Sequence, residues 1–457
     1  MTHISTYEQF RFTQASIDEA GVARLSYAFD DQITFEELIN FGPSNHPLSE
    51  AELTAQENAL RLLHILAGVS YYKAFIPTKL IYEGARGLTE EEKEFFWQSY
   101  FHGLGEFAYR NELDLSKRLN FSSTALESNV SPTNLQLSEG SSTCKSLVPI
   151  GGGKDSVVTL ELLKSLEAER KIKPVAFVVN PHPPMTRCIE AGEVDAIVVK
   201  RRLDPQLFKL NEQGALNGHI PITAINSAIA VIAAIRNQAC EIAFSNERSA
   251  NEGNLTINGV EANHQYSKSF AFEQAFANHI KKHVVSNLSY YSALRPLSEF
   301  TIAQLFLKET RYDKVFTSCN RAFRIDPSKR YDHWCGECDK CRFVYLIMAP
   351  HTNPDRLNNI FGKNLLEDES QLDGFKGLLG IGGSHKPWDC VGEYDESRLS
   401  LKLLSESPLW KDTFIVKSLA HHPELQTNEN LQSQLETLSP EHAVPATILT
   451  KINAWMS

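Results

Sequence analysis

Residues 147–163 read LVPIGGGKDSVVTLELL, an apolar run, three successive glycines, then Lys154, Asp155 and Ser156 ahead of apolar residues at helical spacing. An apolar run that passes directly into a helix pattern is a strand-to-helix turn, and three glycines are more than such a turn needs. Glycine lets backbone N–H groups turn inward on an anion without Cβ clashes, and the following helix N-terminus adds the positive end of its dipole at the same spot. The stretch therefore predicts a phosphate cradle and nucleotide chemistry. It is not a Walker A loop, because only a Gly-Lys pair followed by Asp is present, and it is not a Rossmann fingerprint. A plain glycine turn is the bland alternative.

Outward from the loop, strand and helix patterns alternate: Leu147 to Ile150, Val157 to Glu169, Val175 to Asn180, Thr186 to Glu190, Ala196 to Lys200, Ala224 to Gln238 and Glu241 to Ser245. That alternation predicts an α/β fold with a doubly wound parallel sheet, whose ligands bind at the carboxyl ends of the strands. Upstream, Gln9 to Phe12 and Ala23 to Phe29 read as a β-hairpin, and Ala51 to Leu66 and Glu90 to Tyr109 as helices. Residues 122–146, rich in Ser, Thr, Asn and Pro, read as a linker or long surface loop. After Pro350 the pattern is mixed, then mostly helical from Asn430 to Trp455 with breaks at Pro440 and Pro445. We expect three regions: an α+β N-terminal domain over 1–140, a nucleotide-binding domain over 145–350 and a mostly helical C-terminal region over 351–457.

The chain of 457 residues is 42% hydrophobic and 22% charged, ordinary values for a globular protein with a large core. The longest apolar candidate, Ile220 to Ile235, contains Asn226 and Ser227 and reads as a buried helix, not a membrane span. No signal peptide is visible, so the cytoplasm is the default. A net charge of −11 argues against a broad nucleic-acid footprint. The eight cysteines are not spaced as a disulfide framework. Cys144, Cys188 and Cys240 carry no functional expectation, and Cys240 reads most simply as packing.

Four of the other five form a pattern. His333-Trp334-Cys335-Gly336-Glu337-Cys338-Asp339-Lys340-Cys341 places three thiols at two-residue gaps, with Cys319 upstream. Four thiolates satisfy tetrahedral zinc and leave no open position, so a structural ion is expected. An iron–sulfur cluster uses the same ligands, a redox Cys-x-x-Cys or inert buried thiols remain alternatives, and His333 could replace Cys319.

The glycine loop resembles the PP-loop, Ser-Gly-Gly-x-Asp-Ser, of the N-type ATP pyrophosphatases, a HUP-like fold whose members adenylate a substrate oxygen. The resemblance implies ATP binding by Gly151, Gly152, Gly153, Lys154, Asp155 and Ser156, with Asp155 helping to hold Mg2+; Gly151 stands where serine is usual. A PP-loop with a following cysteine cluster is similar to the deazaguanine nitrile synthases over residues 147–350 only. Across nearly its whole length the chain resembles the UDP-N-acetylmuramoyl-L-alanyl-L-glutamate epimerases. The residues that carry this are Tyr27 to Asp30, the glycine loop, Ser245 to Ser249, Trp334 to Cys341 and His385 to Glu393.

That resemblance implies an ATP-dependent isomerase of peptidoglycan synthesis, with a UDP-muramoyl dipeptide as its small-molecule partner and no nucleic acid or membrane. An amide- or nitrile-forming ligase is the rival, and a nucleotide-binding scaffold a third possibility. For the site, Asn246, Glu247, Arg248, Asn251, Glu252, Asn263, His264 and Lys268 follow an expected strand end, where parallel sheets build their sites; a solvated polar loop is the alternative. His264 is the expected acid/base, Lys268 the charge stabiliser and Arg248 a carboxylate or phosphate contact. Cys390 is a base or nucleophile, or a core thiol. Lys386 and His385 are candidates for a diphosphate, and His182 and Arg187 for ATP. Oligomeric state is not legible.

Overall fold

The computed structural model describes residues 7–126, 135–137, 144–253, 255–257, 260–324, 326–383, 386–387, 389–425 and 429–456. Most of the expected linker, and His385, lie outside them.

Strands β1 (Gln9–Ile17), β2 (Val22–Phe29) and β3 (Ile33–Asn40) form an antiparallel meander, Phe10 facing Phe29 and Tyr27 facing Phe35. Alternating Phe10, Phe12, Leu25, Tyr27 and Phe29 point to one buried face, against α1 (Glu50–Tyr72). Ser49 and Glu52 close a reciprocal capping box that fixes where α1 begins. Strands β4 (Lys79–Tyr82) and β5 (Asn120–Ser123) extend the sheet parallel to β1, with α2 (Glu90–Gly103) and α3 (Gly105–Arg110) between them.

The expected strand and helix alternation follows: β6 (Cys144–Pro149), α4 (Lys154–Ser165), β7 (Ile172–Val179), β8 (Ala196–Arg202) and β9 (Ala239–Phe244). A small hairpin of β10 (Leu255–Ile257) and β11 (Val260–Ala262) precedes β12 (Ser289–Ser292). Strands β12-β9-β6-β7-β8 are mutually parallel, and their residues alternate between two cores. Leu147, Phe177 and Ile242 face the side of α1 and the helix Ile222–Arg236, whereas Val148, Ala176, Val178 and Ala243 face α4 and the C-terminal helices. The helix Ile222–Arg236 is buried almost throughout, as its composition predicts.

Two expectations need correction. The sheet is not purely parallel: β8 pairs antiparallel with β3, so the N-terminal strands and the five parallel strands make one mixed 10-stranded sheet, order β12-β9-β6-β7-β8-β3-β2-β1-β4-β5. Lys200, Arg201 and Arg202 at the end of β8 look like an exposed edge in sequence. In the fold Arg201 donates to Glu37 of β3 at 2.6 Å and to Ser70 at 2.9 Å, both ionic side chains almost fully buried. The second correction concerns Cys144 and Cys240, which form a disulfide with Cα atoms 6.0 Å apart, because β6 and β9 are neighbours although the cysteines are 96 residues apart.

Removing one member of a buried ion pair leaves an uncompensated charge, at a cost of about 3–5 kcal/mol. Glu37→Ala is expected to lower equilibrium stability in urea by that amount, while Glu37→Gln, which keeps an acceptor, loses less.

Candidate active site

After β6 the chain builds β7 and β8 on one side, then returns to β9 on the other, so strand order reverses between β6 and β9. The crevice at such a reversal, beyond the carboxyl ends, is where open α/β sheets bind ligands. A cavity of about 520 Å³ lies there. Gly151, Gly153, Asp155 and Ser156 line it from the glycine loop and α4, Ser245 to Glu247 from the end of β9, and Val178, Val179, Met185 and Phe323 give it an apolar wall.

The loop is shaped for an anion. Gly152 takes φ +83°, which a side chain rarely adopts, and a Cβ on Gly151 would meet open space. Gly153 is the N-cap of α4 and no side chain caps the helix, so its first N–H groups are left for another partner. The Ser156 hydroxyl donates to the Gly153 carbonyl at 3.0 Å. The Ser245 hydroxyl, also lining the cavity, is buried without a hydrogen-bond partner. Lys154 does not line the cavity: it is buried between Asp155 and Glu299 of the helix Glu299–Phe306 and contacts both carboxylates closely. Burial lifts the Glu299 carboxyl, helped by Asp155 and opposed by Lys154, while the charges of Lys154 and Lys340 outweigh burial and keep Asp155 low.

Three of the sequence-derived candidates meet at one point of this cavity. Lys268 lies 3.2 Å from the Cys390 sulfur, and His264 is hydrogen-bonded to the same thiol. Burial alone would raise the Cys390 thiol, but the ammonium of Lys268, the His264 ring and Lys340 overcome it and hold the thiol down at about 6. Burial likewise opposes a proton on His264, yet its bonds to Cys390 and Glu106 lift the imidazole to about 9. At neutral pH the pair is thus a thiolate beside an imidazolium, with Lys268 as a second cation.

Sequence reasoning missed Glu106, His219, Lys340 and Glu299. Glu106, on α3, contacts Nδ1 of His264 directly, and the His219 ring lies tilted against that of His264 with centroids 4.2 Å apart. Nothing local marks Glu106, which is 158 residues from its partner. Lys340 sits between two cluster cysteines, where sequence reads it as a spacer; its ammonium contacts the Cys390 carbonyl and lies 3.8 Å from Glu299. Glu106, His219 and His264 offer three donor atoms within 4.8 Å of one another.

The remaining candidates divide. Asn246 and Glu247 line the cavity, Asn246 donating to Ser292 at 3.0 Å. Arg248 turns away to the carbonyls of Gln434 and Thr437, Asn251 accepts from the Phe270 N–H, and Lys386 pairs with Glu252 at 2.7 Å. His182 starts the helix Pro183–Gly192 and Arg187 binds Asp332. The loop that carries the site is held by Arg295, wholly buried, which donates to the carbonyls of Glu247 and Lys268 and to Glu273.

Cys319, Cys335, Cys338 and Cys341 converge with S···S separations of 3.4, 3.7 and 3.9 Å among the bonded pairs. Sulfurs about 2.3 Å from one tetrahedral ion stand about 3.8 Å apart, so the set fits a closed four-thiolate shell. Gly336, at φ +68°, turns the chain so that the Glu337 N–H reaches the Cys335 sulfur.

A family model described as the MurL N-terminal domain matches residues 1–293, and one described as the MurL C-terminal domain matches residues 315–434. A protein of Xanthomonas oryzae pv. oryzae named UDP-N-acetyl-alpha-D-muramoyl-L-alanyl-L-glutamate epimerase is 40% identical over 449 residues, 97% of each chain. Proteins of the same name from a Micromonospora species and from Salinispora tropica are 41% identical, over 96% of each chain, and 39% identical, over 90% of this chain and 88% of the relative. No solved structure matches the chain.

Cys390 should alkylate with a pH midpoint near 6, the thiolate form being lost below it, whereas Cys188, buried and pushed up to about 12, stays unreactive. Lys268→Gln removes the largest stabilising charge and should move the Cys390 midpoint upward, read by mass spectrometry of the alkylated peptide.

Proposed function

The chain belongs to the MurL family of UDP-N-acetyl-alpha-D-muramoyl-L-alanyl-L-glutamate epimerases and is an epimerase, and we propose that it inverts the terminal L-glutamate of that UDP-muramoyl dipeptide through an ATP-derived acyl adenylate. One observation carries the reading: the uncapped glycine loop and the Cys390 thiol, with Lys268 beside it, open onto a single cavity, and His264 backs the thiol from behind.

The chemistry explains why both are needed together. A free carboxylate makes its α-proton very hard to remove, since the carbanion would form beside an existing charge. Transfer of AMP to that carboxylate removes the charge, and a side chain of tuned pKa can then take the proton. The backbone amides of Gly151 to Gly153 and the open end of α4 would receive the phosphates, with Ser156 turning from the Gly153 carbonyl to add its hydroxyl. Asp155 would hold a magnesium ion there; the ion offsets phosphate charge and acts as a Lewis acid. The apolar wall of Val178, Val179, Met185 and Phe323 suits a flat base, and the unpartnered Ser245 hydroxyl, with Asn246, suits the polar part of either ligand.

Cys390 as thiolate is the base. His264, protonated, is the proton donor of the pair, and Lys268 stabilises the enolate oxygen as charge develops. Water then releases AMP and the D-epimer. The four cysteines hold a structural zinc ion that anchors the segment carrying Lys340. Operation in the cytoplasm, where the nucleotide substrates are made, is part of this reading.

Incubation with ATP, Mg2+ and UDP-N-acetylmuramoyl-L-alanyl-L-glutamate in heavy water should yield AMP, pyrophosphate and D-glutamate bearing deuterium at the α-carbon. Pyrophosphate release without inversion would point to a ligase, and no release would sink the adenylate. Cys390→Ala should lower inversion by about 100-fold or more, the scale of a lost general base. Purified protein is expected to be colourless with one zinc per chain; a brown protein containing iron would overturn the zinc assignment.

A further inference from the structure

The sharpest unexplained feature beside the cavity is the Glu106 carboxylate, which the N-terminal segment sets against His264. Glu106 is only 6% exposed on the short helix α3, a costly place for a charge unless a partner requires it. One of its oxygens meets Nδ1 of His264 and the other meets Nε of Arg110 at 2.5 Å. The arrangement of Cys390, His264 and Glu106 is that of a nucleophile or base, a ring that exchanges its proton, and a third group that orients the ring.

We propose that Glu106 is a positioning residue of the active site: by holding Nδ1 of His264 it fixes the ring's orientation and its positive charge toward Cys390, so that the N-terminal segment completes the proton-transfer machinery. The inference rests on the Cys390–His264 reading of the preceding section. His219 lies within 3.8 Å of the same Glu106 oxygen, but burial and the nearby His264 charge keep it low, at about 4, so it faces His264 uncharged. A single positive ring therefore stands between Glu106 and the thiol. The other charged groups facing Cys390 and His264 are Lys268, Lys340 and Asp389. Asp389 is itself raised by burial and anchored by Asn320 at 2.8 Å. None of these replaces a carboxylate on Nδ1.

The sign of the effect follows. Without the Glu106 charge the imidazolium loses a stabilising partner and its pKa falls. The thiolate then loses one of its three neighbouring cations, Lys268 and Lys340 remaining, and the Cys390 midpoint rises part of the way toward that of an ordinary thiol, about 8.5.

The test uses the full-length protein with Glu106→Gln and Glu106→Asp. The first readout is thiolate ultraviolet absorbance against pH, taken as the difference from Cys390→Ala; the second is α-deuterium incorporated per pyrophosphate released. Glu106→Gln should raise the thiolate midpoint by about one pH unit or more and lower exchange per pyrophosphate about tenfold. Glu106→Asp, charged but shorter, should fall between it and the wild type in both, and decides the matter if Glu106→Gln does not fold. A midpoint and exchange ratio unchanged in the folded variants would overturn the proposal and leave Glu106 a structural partner of Arg110. If the wild-type enzyme releases no pyrophosphate, the adenylate reading fails, while the absorbance titration still judges Glu106.

Discussion

The antiparallel join of β3 to β8 is the constraint on which the architecture depends. Without it, the N-terminal meander and the parallel strands would be two sheets, each with an exposed edge. The join is made where β8 ends in three basic residues: Arg201 pairs with Ile39, and Glu37, two residues along β3 on the same face, satisfies its guanidinium inside the protein. A buried ion pair adds little net stability but penalises wrong registers, because a slip of one residue would strand both charges. With the register set, the helix Ile222–Arg236 packs against α1, and α3 brings Glu106 against His264. The distance between Glu106 and His264 is thus decided by a pairing far from either residue.

A second layer of constraint is the treatment of charge around the cavity. Lys154, Lys340, Glu247 and Glu299 are buried, with Lys268 and Asp155 half-buried beside them, an assembly that is costly unless each charge has a neighbour of opposite sign. Glu396 continues the chain of contacts: it accepts from the Glu299 N–H at 2.6 Å and from the Glu393 N–H at 2.8 Å. Its carboxyl is lifted to about 8, by burial first and then by Glu393 and Glu299. The helix Tyr394–Glu406 therefore reaches the glycine loop through the hydrogen bond that the Glu299 N–H donates to Glu396 and then through Lys154. Arg295 does the same for the segment behind Glu247 and Lys268. The C-terminal region is in this sense part of the support of the site, though among the described residues it contributes only Cys390 to the cavity wall.

What could be read from sequence was local. The glycine loop, the hairpin of β1 and β2, the buried helix and the cysteine spacing each announce themselves through periodicity or short-range pattern, and each lies where the pattern puts it. The meeting of His264, Lys268 and Cys390 was foreseeable as candidates on separate segments, but their contact depends on how residue 390 folds back over the sheet. Lys154 beside Asp155 reads as a phosphate ligand until Glu299 is brought up against it. Glu106, His219 and the Cys144–Cys240 bond were invisible for one reason: their partners are selected by strand order, which no window of sequence contains.

The net charge of −11 sits oddly with a site for polyanions, and the resolution is one of distance. Exposed acidic groups more than about 8 Å away are screened at physiological salt, whereas groups in a recess of low dielectric act nearly unscreened. Of the cations that face the cavity, Lys340 is buried and Lys268 half-buried, and the open amides of α4 lie beside them. The same two cations, with the His264 ring, hold the Cys390 thiol down. A phosphate-bearing ligand entering beside them would compete for their charge and raise the thiol toward neutrality. A base drawn from this pair therefore needs a cation that the phosphates do not share, and an imidazolium fixed from behind by Glu106 meets that requirement.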